Sequence, residues 1–143
     1  MGRATPDVPT RLPWAALLLV LSLSSPALAQ NKSFNVAFSP VSNNCKAAGA
    51  SLSKQTVAVD RRGKGILTLT VAELPVLRGK LRRGGKFRAK TRKAPSKTPG
   101  VTARYSAGGS VDKKEIRFLF IAEYYKAGKP LCTQSWSAAG KAK

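Results

Sequence analysis

From residue 30 onward, apolar and polar positions alternate with a period of two, and no long stretch repeats at helical spacing. Phe34, Val36 and Phe38 alternate with Asn35 and Ala37 as a first strand. Residues 40–53 are mostly small and polar, with Asn43, Asn44 and Gly49, and read as a loop or short helical turn. Val57 and Val59 then alternate with Thr56 and Ala58. Beyond a turn at 61–65, Leu67, Leu69 and Val71 alternate with Thr68 and Thr70. Setting Val59 opposite Leu67 and Val57 opposite Leu69 puts both apolar rows on one face.

The next hairpin is the most informative. Leu77, Gly79 and Leu81 alternate with Arg78, Lys80 and Arg82; after Arg83-Gly84-Gly85, Phe87, Ala89 and Thr91 alternate with Lys86, Arg88, Lys90 and Arg92. A three-residue loop with glycine in the left-handed position is a common hairpin closure. It sets Arg82 opposite Lys86, Leu81 opposite Phe87, Lys80 opposite Arg88 and Arg78 opposite Lys90. One face is then apolar or small, and the other is wholly cationic.

Residues 93–100 carry two prolines and read as a loop. Val101, Ala103 and Tyr105 start a strand that Gly108-Gly109 is expected to end. In residues 116–125, Ile116, Phe118, Phe120, Ala122 and Tyr124 form one row, while Leu119 and Ile121 make the other partly apolar. That pattern predicts a central strand covered on both faces. A last strand spans 131–138, and 139–143 read as a flexible tail. The fold class is therefore all-β: an antiparallel meander of about eight short strands, closed as a small barrel or split as a sandwich.

Residues 1–29 have a different character. Arg3 and Arg11 precede an apolar run from Trp14 to Leu21, extended by Leu23 and broken by Pro26, and Ala27-Leu28-Ala29 supplies a small-x-small cleavage signal before Gln30. This is the pattern of a cleaved signal peptide, and the run is too short for a membrane span, which takes about 20 residues. A single β-domain over 30–143, secreted or periplasmic, is the expected product.

An exported domain changes the reading of its two cysteines. Cys45 and Cys132 are expected to pair. A bridge closing so long a loop removes on the order of 4 kcal/mol of unfolded-chain entropy.

Charge narrows the partners. The leader holds Arg3, Arg11 and Asp7, so residues 30–143 carry 24 Lys and Arg against five acids, a formal +19. Such an imbalance attracts anions: nucleic acid, acidic glycan or anionic lipid headgroups. Between Arg78 and Lys97 there are ten cations and no acid. Like charges opposite one another across a ladder cost a few tenths of a kcal/mol each, and the hairpin register stacks three such pairs. Arg78, Lys80, Arg82, Lys86, Arg88, Lys90 and Arg92 are thus the candidate anion-binding residues. With no aromatic residue among them, base stacking has little support, and binding would be mostly electrostatic.

Catalytic chemistry finds little material. The chain has no histidine, the usual base near neutral pH. Its few acids show no paired spacing, and neither a metal nor a cofactor motif is present. Gly63-Lys64-Gly65 lacks the spacing and the following Ser or Thr of a phosphate loop and reads as a hairpin turn. Asn31-Lys32-Ser33 has the form of a glycosylation sequon. Among the aromatics Tyr105, Tyr124, Tyr125 and Trp136, Tyr125 is the one expected at the surface, pointing away from the apolar row. The expectation is a non-enzymatic binding domain. The alternative is a small barrel holding an apolar ligand in an interior lined by Leu69, Tyr105, Phe118 and Phe120.

Overall fold

In the computed structural model, which describes residues 30–46, 49–63 and 65–143, the alternation becomes nine antiparallel strands. They are β1 (Gln30–Asn43), β2 (Lys54–Arg62), β3 (Ile66–Val71), β4 (Leu77–Leu81), β5 (Lys86–Lys90), β6 (Ala94–Pro95), β7 (Val101–Val111), β8 (Glu115–Lys126) and β9 (Lys129–Ala142). The leader expected over 1–29 lies outside the described residues. Among the described residues, no helix is long and apolar enough to cross a membrane.

Each strand pairs with the next, except that β6 is a two-residue flank on β7 and β5 passes over it to pair with β7 directly. β9 returns to pair with β1. Eight strands therefore close into a ring, which leaves each of them with a partner on both sides.

One row of each strand fills the interior. Around one level of the ring Phe38 faces Ala138, Ala138 faces Phe118, Phe118 faces Gly109 and Gly109 faces Phe87. Large and small side chains alternate, so the rings interdigitate rather than collide. Phe118 meets Phe38 at 5.8 Å and Phe87 at 6.1 Å between centroids, and Tyr105 stacks on Phe120 at 5.8 Å. Leu67, Leu69, Val71 and Leu77 are wholly buried on the opposite wall.

The segment after β1 packs over one end of this core. Cys45, Ala50 and Leu52 lie against it. The Gln134 amide reads the Ala50 backbone from both sides, its Oε1 accepting from the N–H at 2.8 Å and its Nε2 donating to the carbonyl at 3.1 Å. Cys45 and Cys132 are disulfide-bonded, which ties this segment to β9 as the sequence predicted.

Several boundaries and one register differ from the sequence reading. β1 runs on through Pro40 to Asn43 because a bulge leaves Val41 out of the ladder, 62 % exposed. β7 continues through Gly108-Gly109 to Val111, because β5 and β8 pair with it along both sides. Val59 faces Leu69 and Val57 faces Val71, two residues from the expected pairing; Arg61 and Arg62 extend β2, and the turn is correspondingly shorter. The apolar rows still share a face, since a shift of two preserves the pleat.

Residues 139–142, expected to trail free, form the end of the closing strand. Ala139 pairs with both Ala37 and Arg117, and the Lys143 N–H donates to Ser33 at 3.0 Å. Position 140 requires glycine because the backbones approach closely: a Cβ there would sit 2.0 Å from the Asn35 carbonyl oxygen.

Candidate functional site

The cationic hairpin has the register that its sequence predicts. Lys80 faces Arg88, Arg78 faces Lys90 and Leu81 faces Phe87. The Arg82 N–H donates to the Lys86 carbonyl at 2.7 Å, which closes the loop. Gly84 and Gly85 both take positive φ, 78° and 77°, the conformation that the tight connection requires. Phe87 and Ala89 point into the core, while Lys86, Arg88 and Lys90 are exposed. Arg78 and Lys80 are exposed on β4 in the same way.

Pairing with β7 and β8 extends this face. Outward positions fall into two rows across four strands. One row reads Lys80, Arg88, Gly108, Leu119; the other reads Arg78, Lys90, Ser106, Ile121. Two cationic strands are followed by a strand of glycine and serine, then by one of leucine and isoleucine. The short side chains of β7 leave a trough of about 1200 Å³ between the tall ones on either side. Arg78, Lys80, Arg82, Lys86, Arg88 and Lys90 line it, and no Asp or Glu among the described residues does.

Arg92, the seventh candidate, is exposed but lies past the end of β5 and does not line the trough. Just before it, Thr91 turns inward, 8 % exposed, and its Oγ1 accepts from the Tyr105 N–H. The ion pairs among the described residues are Arg62–Asp60, Lys97–Glu73 and Arg104–Glu123. None of them engages a trough residue, so the cationic wall faces solvent uncompensated.

The far wall corrects the reading of β8 as covered on both faces. Leu119 is 43 % exposed and Ile121 is half-buried, and among the described residues no second layer covers this face. The sequence showed this second apolar row, but closure of the ring places it outside the core. Only the pairing of β5 with β7, a long-range contact, puts it beside the hairpin.

Tyr125 is not the free surface aromatic that alternation predicts. It points away from the core row, as alternation predicts, but is only 9 % exposed, because Arg104, Glu123 and Lys93 close around it. Its hydroxyl donates to Glu123 and accepts from Arg104 at 3.1 Å, and the Lys93 ammonium lies 3.8 Å above its ring. The Tyr125 hydroxyl and then the Arg104 guanidinium hold the Glu123 carboxyl below its ordinary value. The cluster therefore spends its charges on itself.

Inside the ring, burial pushes the Tyr124 hydroxyl up to about 12, and it donates to Gln134 Oε1 at 3.0 Å. Leu69, Tyr105, Phe118 and Phe120, the expected lining of a ligand cavity, belong to the packed core, with three of the four in ring contact. Among the described residues no three His, Cys, Asp or Glu side chains gather as a metal site would need. No family model matches the chain, and comparison with curated proteins and with solved structures returns no match.

Proposed function

We propose that this is an exported, non-enzymatic β-domain, secreted or periplasmic, that binds an anionic polymer or surface through the cationic wall of the β4–β5 hairpin. One observation carries the reading: six Lys and Arg side chains converge on one trough that no acid among the described residues enters. Like-charge pairs at Lys80–Arg88 and Arg78–Lys90 act against the fold, and an anion laid across them reverses the sign of that interaction. The disulfide fits an oxidising compartment, and the leader-like residues 1–29 fit export.

Binding of this kind is driven by counterion release, so it weakens steeply with salt. Titration of heparin and of duplex DNA across a salt series tests it. Replacing Lys80, Arg88 and Lys90 with Gln should weaken both at low salt and flatten the salt dependence. Equal losses from replacing Lys113, Lys126 and Lys129, all exposed and outside the trough, would assign the effect to bulk charge instead.

A further inference from the structure

The trough contains a glycine that its backbone does not need. A Cβ on Gly79 would lie 1.6 Å from the Arg88 carbonyl oxygen, and one on Gly109 would lie 2.0 Å from that of Arg117. Those two positions must stay bare for the strands to pair. Gly108 is different: its Cβ would meet only Arg88 Cγ and the Phe87 carbonyl oxygen, both at 3.8 Å, which is ordinary contact. Its φ is not in the left-handed region either. Glycine in mid-strand is destabilising relative to alanine, and a strand glycine without backbone cause often marks the close approach of a ligand. Here the missing side chain keeps the trough open between Arg88 on one side and Leu119 on the other.

The two walls differ in chemistry. A purely anionic polymer would use Arg78, Lys80, Arg88 and Lys90 and leave Leu119 and Ile121 idle. A molecule that uses both walls needs an acid group and a hydrocarbon part. The walls stand two strand spacings apart, roughly 10 Å. That width admits one hydrocarbon chain, which needs about 7–8 Å between the atoms on either side of it.

We infer that the trough over β7 binds an anionic lipid, its acid head paired with Lys80, Arg88 and Lys90 and its hydrocarbon chain lying over Gly108 against Leu119 and Ile121. The inference rests on the anion-binding reading above and names the class of anion. It also accounts for an exposed leucine in mid-strand, beside a bare glycine, on the same face as the cationic hairpin.

The test is calorimetric titration with dodecyl phosphate below its micelle concentration, beside inorganic phosphate, dodecyl maltoside and heparin. The wild-type chain should bind dodecyl phosphate at least about tenfold more tightly than inorganic phosphate, since each buried methylene contributes about fourfold. Dodecyl maltoside should bind at least about tenfold more weakly than dodecyl phosphate, because hydrogen bonds to charged groups are lost. Gly108→Val fills the trough and keeps every cation, so its ratio of dodecyl phosphate to inorganic phosphate affinity should fall towards one. Leu119→Ser should lower the same ratio, and it carries the test if Gly108→Val does not fold.

A wild-type ratio near one overturns the inference, as does an undiminished ratio in the folded variants or equal binding of the neutral detergent. The charge variant Lys80→Gln/Arg88→Gln/Lys90→Gln separates this from failure of the underlying reading. If it keeps wild-type heparin affinity, the hairpin is not the anion site at all. If it loses heparin while the wild-type dodecyl ratio is one, the site stands and its ligand is not a lipid.

Discussion

Lys80 lies directly opposite Arg88 across the β4–β5 ladder, with the Arg78–Lys90 pair beside it. Alternation makes both pairs outward, and a three-residue loop fixes which cations meet. A neutral or acidic residue at any of these positions would relieve the repulsion without touching the core. The first expected outcome follows from that strain. Lys80→Glu should turn a repulsive pair into an attractive one and stabilise the fold by about 0.2–1 kcal/mol, more at low salt than at high salt. Urea denaturation at two salt concentrations reads it. A loss of stability would mean that the pair is not repulsive in the folded state.

The Cys45–Cys132 bridge spans 87 residues and holds the segment after β1 against β9. Loop-closure entropy assigns such a bridge about 4 kcal/mol. Replacing both cysteines with alanine should lower the unfolding free energy by that order and expose the segment around Ala50 first. Hydrogen exchange at the Ala50 amide, bonded to both Tyr124 and Gln134, reports the local part. Unchanged protection there with the bridge removed would contradict the account.

Tyr124 supplies a pH dependence. Burial raises its hydroxyl to about 12 in the folded chain, while in the unfolded chain it titrates near 10. The folded state therefore binds the proton more tightly. The resulting stabilisation is complete below pH 10 or so and is lost as pH climbs towards 12. Denaturation curves between pH 9 and pH 12 or so should show stability falling, and Tyr124→Phe should flatten that fall. The same variant should cost about 1 kcal/mol at neutral pH, because Gln134 Oε1 loses a donor. Identical alkaline profiles for the two chains would show that Tyr124 does not report the core.

How far the sequence could be read depends on the range of the interaction concerned. The hairpin register follows from local alternation and Gly84-Gly85; the structure has it from Arg78–Lys90 to Leu81–Phe87, with Arg82 hydrogen-bonded to Lys86 at the loop. The β2–β3 register differs by two residues because Arg61 and Arg62, which read as turn residues, continue the strand. β7 was expected to stop at Gly108, since glycine disfavours strands; partners on both sides carry it to Val111. The far wall of the trough was visible only as an apolar excess at Leu119 and Ile121. Its meaning depended on ring closure, which brings β5 onto β7 across the intervening β6. Tyr125 points outward as alternation predicts, but Arg104 from β7 and Lys93, distant in sequence, cover it, and no local pattern marks that contact.

The acid side of the pH range tests the cluster beside the trough. The Tyr125 hydroxyl and Arg104 lower the Glu123 carboxyl, so the folded state releases that proton more readily than the unfolded chain. The stabilisation is present above the ordinary carboxylate range and is lost as pH falls through the lowered value. Glu123→Gln should make the chain less stable at neutral pH and less sensitive to acid, read by thermal unfolding at a series of pH values. Equal acid sensitivity in both chains would remove Glu123 from the account.

The central claim is that one face of an evenly basic molecule acts as a site. The most direct measurement is the slope of log affinity against log salt for duplex DNA. It compares the wild-type chain, the Lys80→Gln/Arg88→Gln/Lys90→Gln variant and the Lys113→Gln/Lys126→Gln/Lys129→Gln variant. Each cation that neutralises a phosphate contributes close to one unit of slope. The trough variant should flatten the slope by about 2–3 units while the other stays within about one unit of wild type. Equal flattening by both would contradict the account and leave the positive charge as a diffuse cloud without a site.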